Sequence, residues 1–215
     1  MISDELKEAL GHVAQGDIEP ALPVLEREAA AGSAEAQFAL GSLYANGQGV
    51  DLNYRRAAEL IRAAADQGIA QAQMVLAWLY TAGYGVEADE DEARRLYLAA
   101  AEGGDPEAQV AAAVMYQFGR HGADKDPKEM LRWYHAAAEQ GHARAQFALG
   151  KLMAEGKLVA EDTEGAFMWL TLAIMSGSEP AKKELAMLTG RLKAEEVAAY
   201  KERMMERFGT TAGNG

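Results

Sequence analysis

The sequence predicts an all-α protein, a solenoid of antiparallel helix hairpins, and two observations carry that prediction. The chain repeats itself: AQFALGSLY begins at Ala36, AQMVLAWLY at Ala72, AQVAAAVMY at Ala108 and AQFALGKLM at Ala145, starts that are 36, 36 and 37 residues apart. A fixed period in this range marks an architecture in which one supersecondary unit stacks on the next. Each copy also holds two blocks with apolar or small residues at three- and four-residue spacing, as in Ala36, Leu40, Leu43 and Gly47, then Ala57, Leu60, Ile61 and Ala64. Such spacing puts one apolar stripe on a helix, and the blocks are rich in Ala, Leu, Glu, Arg and Met rather than in alternating β-branched residues.

The elements follow in chain order. Residues 4–15 and 18–31 read as a compact N-terminal hairpin whose second helix is in phase, because Ala21 falls 36 residues before Ala57. In each regular copy the AQ block is helix A. Helix B is the second block, RRAAELIRAAADQG ending at Gly68, DEARRLYLAAAEGG at Gly104, KEMLRWYHAAAEQG at Gly141 and EGAFMWLTLAIMSG at Gly177. Asn53, Asp89, Asp126 and Asp162 precede these blocks as N-caps, since a short side-chain oxygen there satisfies a first-turn N–H. Glu92 and Glu129, three residues after Asp89 and Asp126, match the reciprocal capping box, and Pro127 suits the first helical position. Glycines at 32, 68, 104, 141 and 177 supply helix stops.

The pairs Gly47 with Gly49, Gly83 with Gly85 and Gly119 with Gly122 read as structural turns, because no copy follows them with the Lys and Ser or Thr of a phosphate-binding loop. Gly41, Ala77, Ala113 and Gly150 are small at one place in helix A, which lets a neighbouring helix approach, while Leu40, Tyr44, Leu76 and Tyr80 fill gaps. Gln37, Gln73, Gln109 and Gln146 recur in every copy, so a structural hydrogen bond to a loop or helix end suits them better than a unique catalytic role. Residues 179–189 and 194–208 read as a terminal pair whose long charged side chains, including Lys182, Lys183, Glu195, Glu196 and Lys201, cover the last apolar face. Thr210–Gly215 is expected to be a flexible tail.

Composition narrows the function classes. The 215 residues carry 21 Lys plus Arg against 33 Asp plus Glu, a formal charge of −12, which repels nucleic-acid phosphates and anionic membrane surfaces. No basic run or nucleic-acid-binding signature offsets that field, so no nucleic-acid partner is expected. The absence of Cys removes disulfides, thiolate nucleophiles and Cys-ligated zinc. MISDELKEAL puts acids where a signal peptide carries positive charge, and no apolar stretch approaches the roughly 20 residues of a membrane helix, so a cytoplasmic location without an integral membrane segment is the expectation.

The repeated A-x-AQ-x-x-LG-x-x-Y-x-x-G-x-GV, followed by D-x-x-x-A and AAA-x-x-G, resembles the Sel1-like repeat family, a longer-looped relative of tetratricopeptide repeats. The best examples run from Ala34 to Gly68 and from Ala70 to Gly104, and the resemblance covers residues 33–177. One solenoid domain is then expected over residues 1–209: a tetratricopeptide-like hairpin at 1–32, repeats at 33–68, 69–104, 105–141 and 142–177, and capping helices at 178–209. The resemblance implies a right-handed superhelix acting as a protein- or peptide-binding scaffold or adaptor, in a family with signalling, envelope, secretion and host-interaction roles in bacteria. Two departures affect loops: one extra residue in GRHGA, and Leu158 in place of the second loop glycine in GKLVA.

In such a hairpin solenoid the first helices are expected to line the inner, concave surface, where equivalent side chains form columns. The column Ser42, Trp78, Val114, Lys151 is uneven, with an apolar middle between polar ends and Phe118 one turn beyond Val114. Glu35, Gln71 and Glu107 would rim it, so the expected ligand is a protein or peptide with a hydrophobic anchor and basic flanks. In a second reading, Trp78 and Phe118 only cover loops or neighbouring helices. Self-assembly through either face is the competing class, and a homo-oligomer is compatible with the pattern.

An enzyme is disfavoured. His12, His121, His135 and His142 form no zinc motif, and the cluster Glu90, Asp91, Glu92, followed by Arg94 and Arg95, lacks the spacing of a calcium loop. A hydrolytic carboxylate pair is the enzymatic alternative, but no nucleophile, base and oxyanion donors cluster, and no cofactor is implied.

Overall fold

The structure, a computed structural model, describes residues 2–208. It contains α1 (Asp4–Ala14), α2 (Leu22–Ala30), α3 (Ala34–Asn46), α4 (Tyr54–Ala65), α5 (Ala70–Ala82), α6 (Glu90–Glu102), α7 (Pro106–Phe118), α8 (Pro127–Glu139), α9 (Ala143–Glu155), α10 (Thr163–Met175), α11 (Glu179–Thr189) and α12 (Ala194–Phe208). Among the described residues there is no strand, and the fold is an all-α solenoid of paired helix hairpins. The expected tail, Thr210–Gly215, lies outside the described residues.

The chain divides into two compact units, Met1–Met115 with Gly119–Asp124, and Tyr116–Phe118 with Lys125–Gly215. In the first, α1 through α6 pack as successive hairpins. Neighbouring residues of α4 seal two different layers: Leu60 belongs to the core of Leu6, Leu25, Leu40 and Leu43, and Ile61 to that of Leu76, Leu79 and Leu96. In the second unit α9 pairs with α10, and α8 and α11 flank that pair. Its core is formed by Phe167, Leu170, Ala181 and Leu188. Each fully buried Leu or Ile contributes about 1.5–3 kcal/mol, against about 0–1 kcal/mol for an exposed ion pair, so apolar sealing dominates.

The small position of helix A is where the two helices of one hairpin meet. A Cβ added at Gly41 would sit 2.7 Å from Cγ1 of Ile61, and one at Gly150 2.7 Å from Cγ and 3.0 Å from the backbone N of Leu170. Ala77 and Ala113 are fully buried at the equivalent places.

Two recurring polar contacts tie the hairpins together. The N-cap side chains of Asn53, Asp89, Asp126 and Asp162 accept first-turn N–H bonds, as their residue types predict. Their own backbone N–H groups donate across the loop to the carbonyls of Tyr44, Tyr80, Tyr116 and Met153, at 2.9–3.1 Å. This corrects the capping-box expectation. Glu92 and Glu129 bond Arg95 and Arg132 instead of reaching back, because the donor each would have satisfied is already used.

The recurrent glutamines form the second contact. Nε2 of Gln37, Gln73, Gln109 and Gln146 donates to the carbonyls of Ala29, Ala65, Ala101 and Ala138, at 3.2–3.3 Å. Each clip joins helix A to the end of the preceding helix, where it adds a second bond to a carbonyl that also accepts the N–H of the helix-stopping glycine, Gly32, Gly68, Gly104 or Gly141, at 3.0–3.1 Å.

Glycine is required most strictly at Gly85, where φ is +71° and an added Cβ would run into the backbone carbonyl of Tyr54. Gly104 has φ +91° and open space around it. Gly104→Ala should therefore cost about 1–2 kcal/mol from backbone conformation alone, and Gly85→Ala clearly more, as urea unfolding would reveal. Gln109→Leu should cost about 1 kcal/mol by removing one buried hydrogen bond, since the Ala101 carbonyl keeps the bond it accepts from the Gly104 N–H. Gln73→Leu should cost less, because Gln73 is only half-buried and water can replace the bond.

Candidate functional site

Helix α5 ends at Gly83, whose left-handed backbone reverses the chain and presents Tyr84. Because Gly85 has no Cβ, the loop lies directly on the start of α4, where Tyr54 is the first helical residue. The rings then stack: Tyr84 lies 4.7 Å from Tyr54 at 19°, and Trp78 meets Tyr84 edge-on at 5.3 Å and 71°. Trp78 is 45% exposed and Tyr84 43%. The edge-to-face and offset geometries are those aromatic quadrupoles favour, so the rings hold one another in place while keeping apolar surface in water.

The other sequence-derived candidates in the first unit lie on α3, α5 and α7. Gln71 and Glu107 are exposed in the first turns of α5 and α7, and Val114 is half-buried near the end of α7. Glu35 is half-buried and accepts a hydrogen bond from Ser33 at 3.2 Å. Ser42 donates back to the carbonyl of Phe38 at 2.8 Å, which occupies its proton in its own helix. In the second unit Phe118 closes α7 and is 51% exposed, and Lys151 on α9 lies 3.8 Å from Glu155.

Tyr54 and Tyr84 were missed by sequence reasoning. A signal for Tyr84 was present: the residue after the loop glycine is Gln48, Tyr84, Arg120 and Lys157 in the four copies, and only one of these is aromatic. Its partnership with Tyr54, 30 positions earlier, depends on the fold of the loop.

The acidic cluster is consumed by cationic and imidazole neighbours. Glu90 meets Nδ1 of His121 at 2.5 Å, Asp91 pairs with Arg94 at 2.6 Å, and Glu92 takes two bonds from Arg95 at 2.6 and 2.8 Å. His121 is the inserted residue of the third loop and has a positive φ of 53°. Arg94 donates to its carbonyl at 2.8 Å, and its ring lies against Tyr97, so these contacts hold an unfavourable backbone conformation. His142 caps α9, accepting from the N–H of Ala145. Among the described residues, no group of three or more His, Cys, Asp or Glu is arranged to hold a metal ion. No described helix is long and apolar enough to cross a membrane.

The Sel1 repeat family model matches residues 34–69, 70–105, 106–142 and 143–178. No curated protein matches the chain significantly. Among solved structures, the chain is similar to a Sel1 repeat protein from Oxalobacter formigenes, with TM-score 0.78 and 27% identity over 94% of this chain and 84% of that one. A protective antigen of uropathogenic Escherichia coli displaying an SLR fold aligns with TM-score 0.52 and 24% identity, over 96% of this chain and 53% of that one. A Sel1 repeat protein from Klebsiella pneumoniae subsp. pneumoniae aligns with TM-score 0.54 and 20% identity, over 86% and 91%. These last two likenesses concern the fold.

The Arg95 hydrogen bond holds the Glu92 carboxyl below its ordinary range, against the opposing effect of burial. A depressed carboxyl contributes stability above its unfolded value and loses it as pH falls through the folded one. Glu92→Gln should therefore be less stable than the wild type at pH 7, with the gap closing in acid, as paired urea denaturations across that range would show.

Proposed function

The chain belongs to the Sel1 repeat family, whose general role is that of a protein-binding scaffold, and we propose that this member is a non-catalytic adaptor. It grips a peptide segment of a partner protein on the helix-A side of its first unit. The observation that carries this reading is the exposed pair Trp78 and Tyr84, which meet edge to face, with Tyr84 stacked on the half-buried Tyr54. Large rings held rigid before binding lose little entropy when a partner covers them, which is why such residues dominate binding energies.

Ser42 and Val114 extend the surface around Trp78, and Glu35, Gln71 and Glu107 give it a polar, acidic rim. The ligand that suits this chemistry is a peptide with one hydrophobic anchor flanked by Lys or Arg. Phe118 and Lys151 belong to the second unit and contribute there as separate contacts.

Trp78→Ala should keep the helical circular dichroism and lower affinity for a captured partner by about 30-fold or more, the loss expected of a central aromatic anchor. Phe118→Ala should weaken binding less. If both variants stay folded and bind that partner with unchanged affinity, the surface is misplaced.

A further inference from the structure

Helix α11 is in phase with the first helices of the repeats before it. Ala181, Leu185, Ala186 and Leu188 each stand 36 residues after Ala145, Leu149, Gly150 and Leu152. Ala181 and Leu188 are buried at 0% and 2%, as a first helix packed on the preceding hairpin should be. The difference lies at the positions that the second helix of a hairpin covers. Leu149 and Gly150 are buried, Gly150 directly against Leu170 of α10, whereas Leu185 is half-buried and Ala186 is exposed.

The chain's next helix lies elsewhere. α12 turns back across α10: the ring of Tyr200 lies 5.8 Å from that of Phe167, and Arg203 grips both carboxylate oxygens of Glu164 at 2.5 and 2.8 Å. Between α10, α11 and α12 runs a groove of about 720 Å³. Its apolar surface includes Ile174, Leu185 and Ala186, with Met175 and Met205 exposed at 75% and 73%. Among the described residues, the charged ones lining it are Lys182 on α11 and Lys201 on α12, in a chain of net charge −12.

We infer that this groove is the seat of an acidic amphipathic helix donated by a partner protein, which docks on α11 as α10 docks on α9. Three features argue for this occupant. α11 presents the small residue, Ala186, where close helix approach occurs in the repeats, so the partner sets a branched apolar side chain against it, as Ile61 sits against Gly41. The methionines adapt to an imperfect surface, because an unbranched thioether repacks at low cost. The two lysines favour carboxylates on the flanks of the incoming helix. Lys182 is held by Glu179 at 2.6 Å, but exposed pairs of this kind are weak enough to exchange. The 11 residues of α11 span about 16 Å, so three helical turns of the partner suffice.

The test is fluorescence anisotropy with the full chain and a labelled peptide of the α4 sequence, Tyr54–Ala65, in which Arg55, Arg56 and Arg62 are each replaced by Glu. This acidic peptide should bind, and the unmodified α4 peptide should bind about tenfold more weakly or worse, a factor worth about 1.4 kcal/mol. Combining Lys182→Glu with Lys201→Glu should reverse that order. Ala186→Trp, at an exposed position that tolerates bulk, should abolish binding without changing the thermal midpoint, and Trp78→Ala should leave it intact, which separates this site from the one proposed above. Failure of the acidic peptide to bind, equal binding of the two peptides, or full binding by Ala186→Trp would overturn the inference. So would a sedimenting dimer that Ala186→Trp dissolves, since the groove would then belong to a second copy.

Discussion

The fold of each unit depends on the seam where helix A meets helix B. Helices of 9–15 residues are marginal alone in water, so each needs an apolar face covered by another. Gly41 against Ile61 and Gly150 against Leu170 bring two backbones close enough for that cover to be continuous. The same helix B serves two layers, as in α4, where Leu60 joins the core shared with the preceding hairpin and Ile61 the core shared with the following one. Stability in such a stack is therefore shared between neighbours rather than owned by any one hairpin.

Polar contacts specify the register of this packing. An apolar stripe of Ala and Leu tolerates a helix sliding by a turn, since one small apolar residue replaces another. A buried glutamine does not, because the slide leaves its amide N–H group without the helix-end carbonyl it donates to. The clips at Gln37, Gln109 and Gln146, all buried, set the spacing from one hairpin to the next. The loop bonds from the N-cap residues set the spacing within a hairpin.

Where every copy keeps a residue, packing explains it; where one copy departs, the surface gains chemistry. Tyr84 replaces polar or basic residues at one loop position and builds an aromatic surface with Tyr54 and Trp78. The His121 insertion draws Glu90 and Arg94 into a latch that uses up charges with the look of a cation site. α11 keeps the buried side of a first helix and exposes the side that normally receives a second.

The sequence alone determined the period, the helical character of both blocks, the four N-caps and the helix-stopping glycines, because each is a local property of spacing or backbone preference. It also pointed to the recurrent glutamines as structural and to Trp78 and Phe118 as candidates for exposure. Only the tertiary structure decided which carbonyl each glutamine meets, why the capping-box glutamates turn to arginines, that Tyr84 lies between Tyr54 and Trp78, and that α12 folds back on α10. Those outcomes rest on distances between residues far apart in the chain, and helical periodicity carries no information about which remote group arrives first at a donor, a ring or an open face.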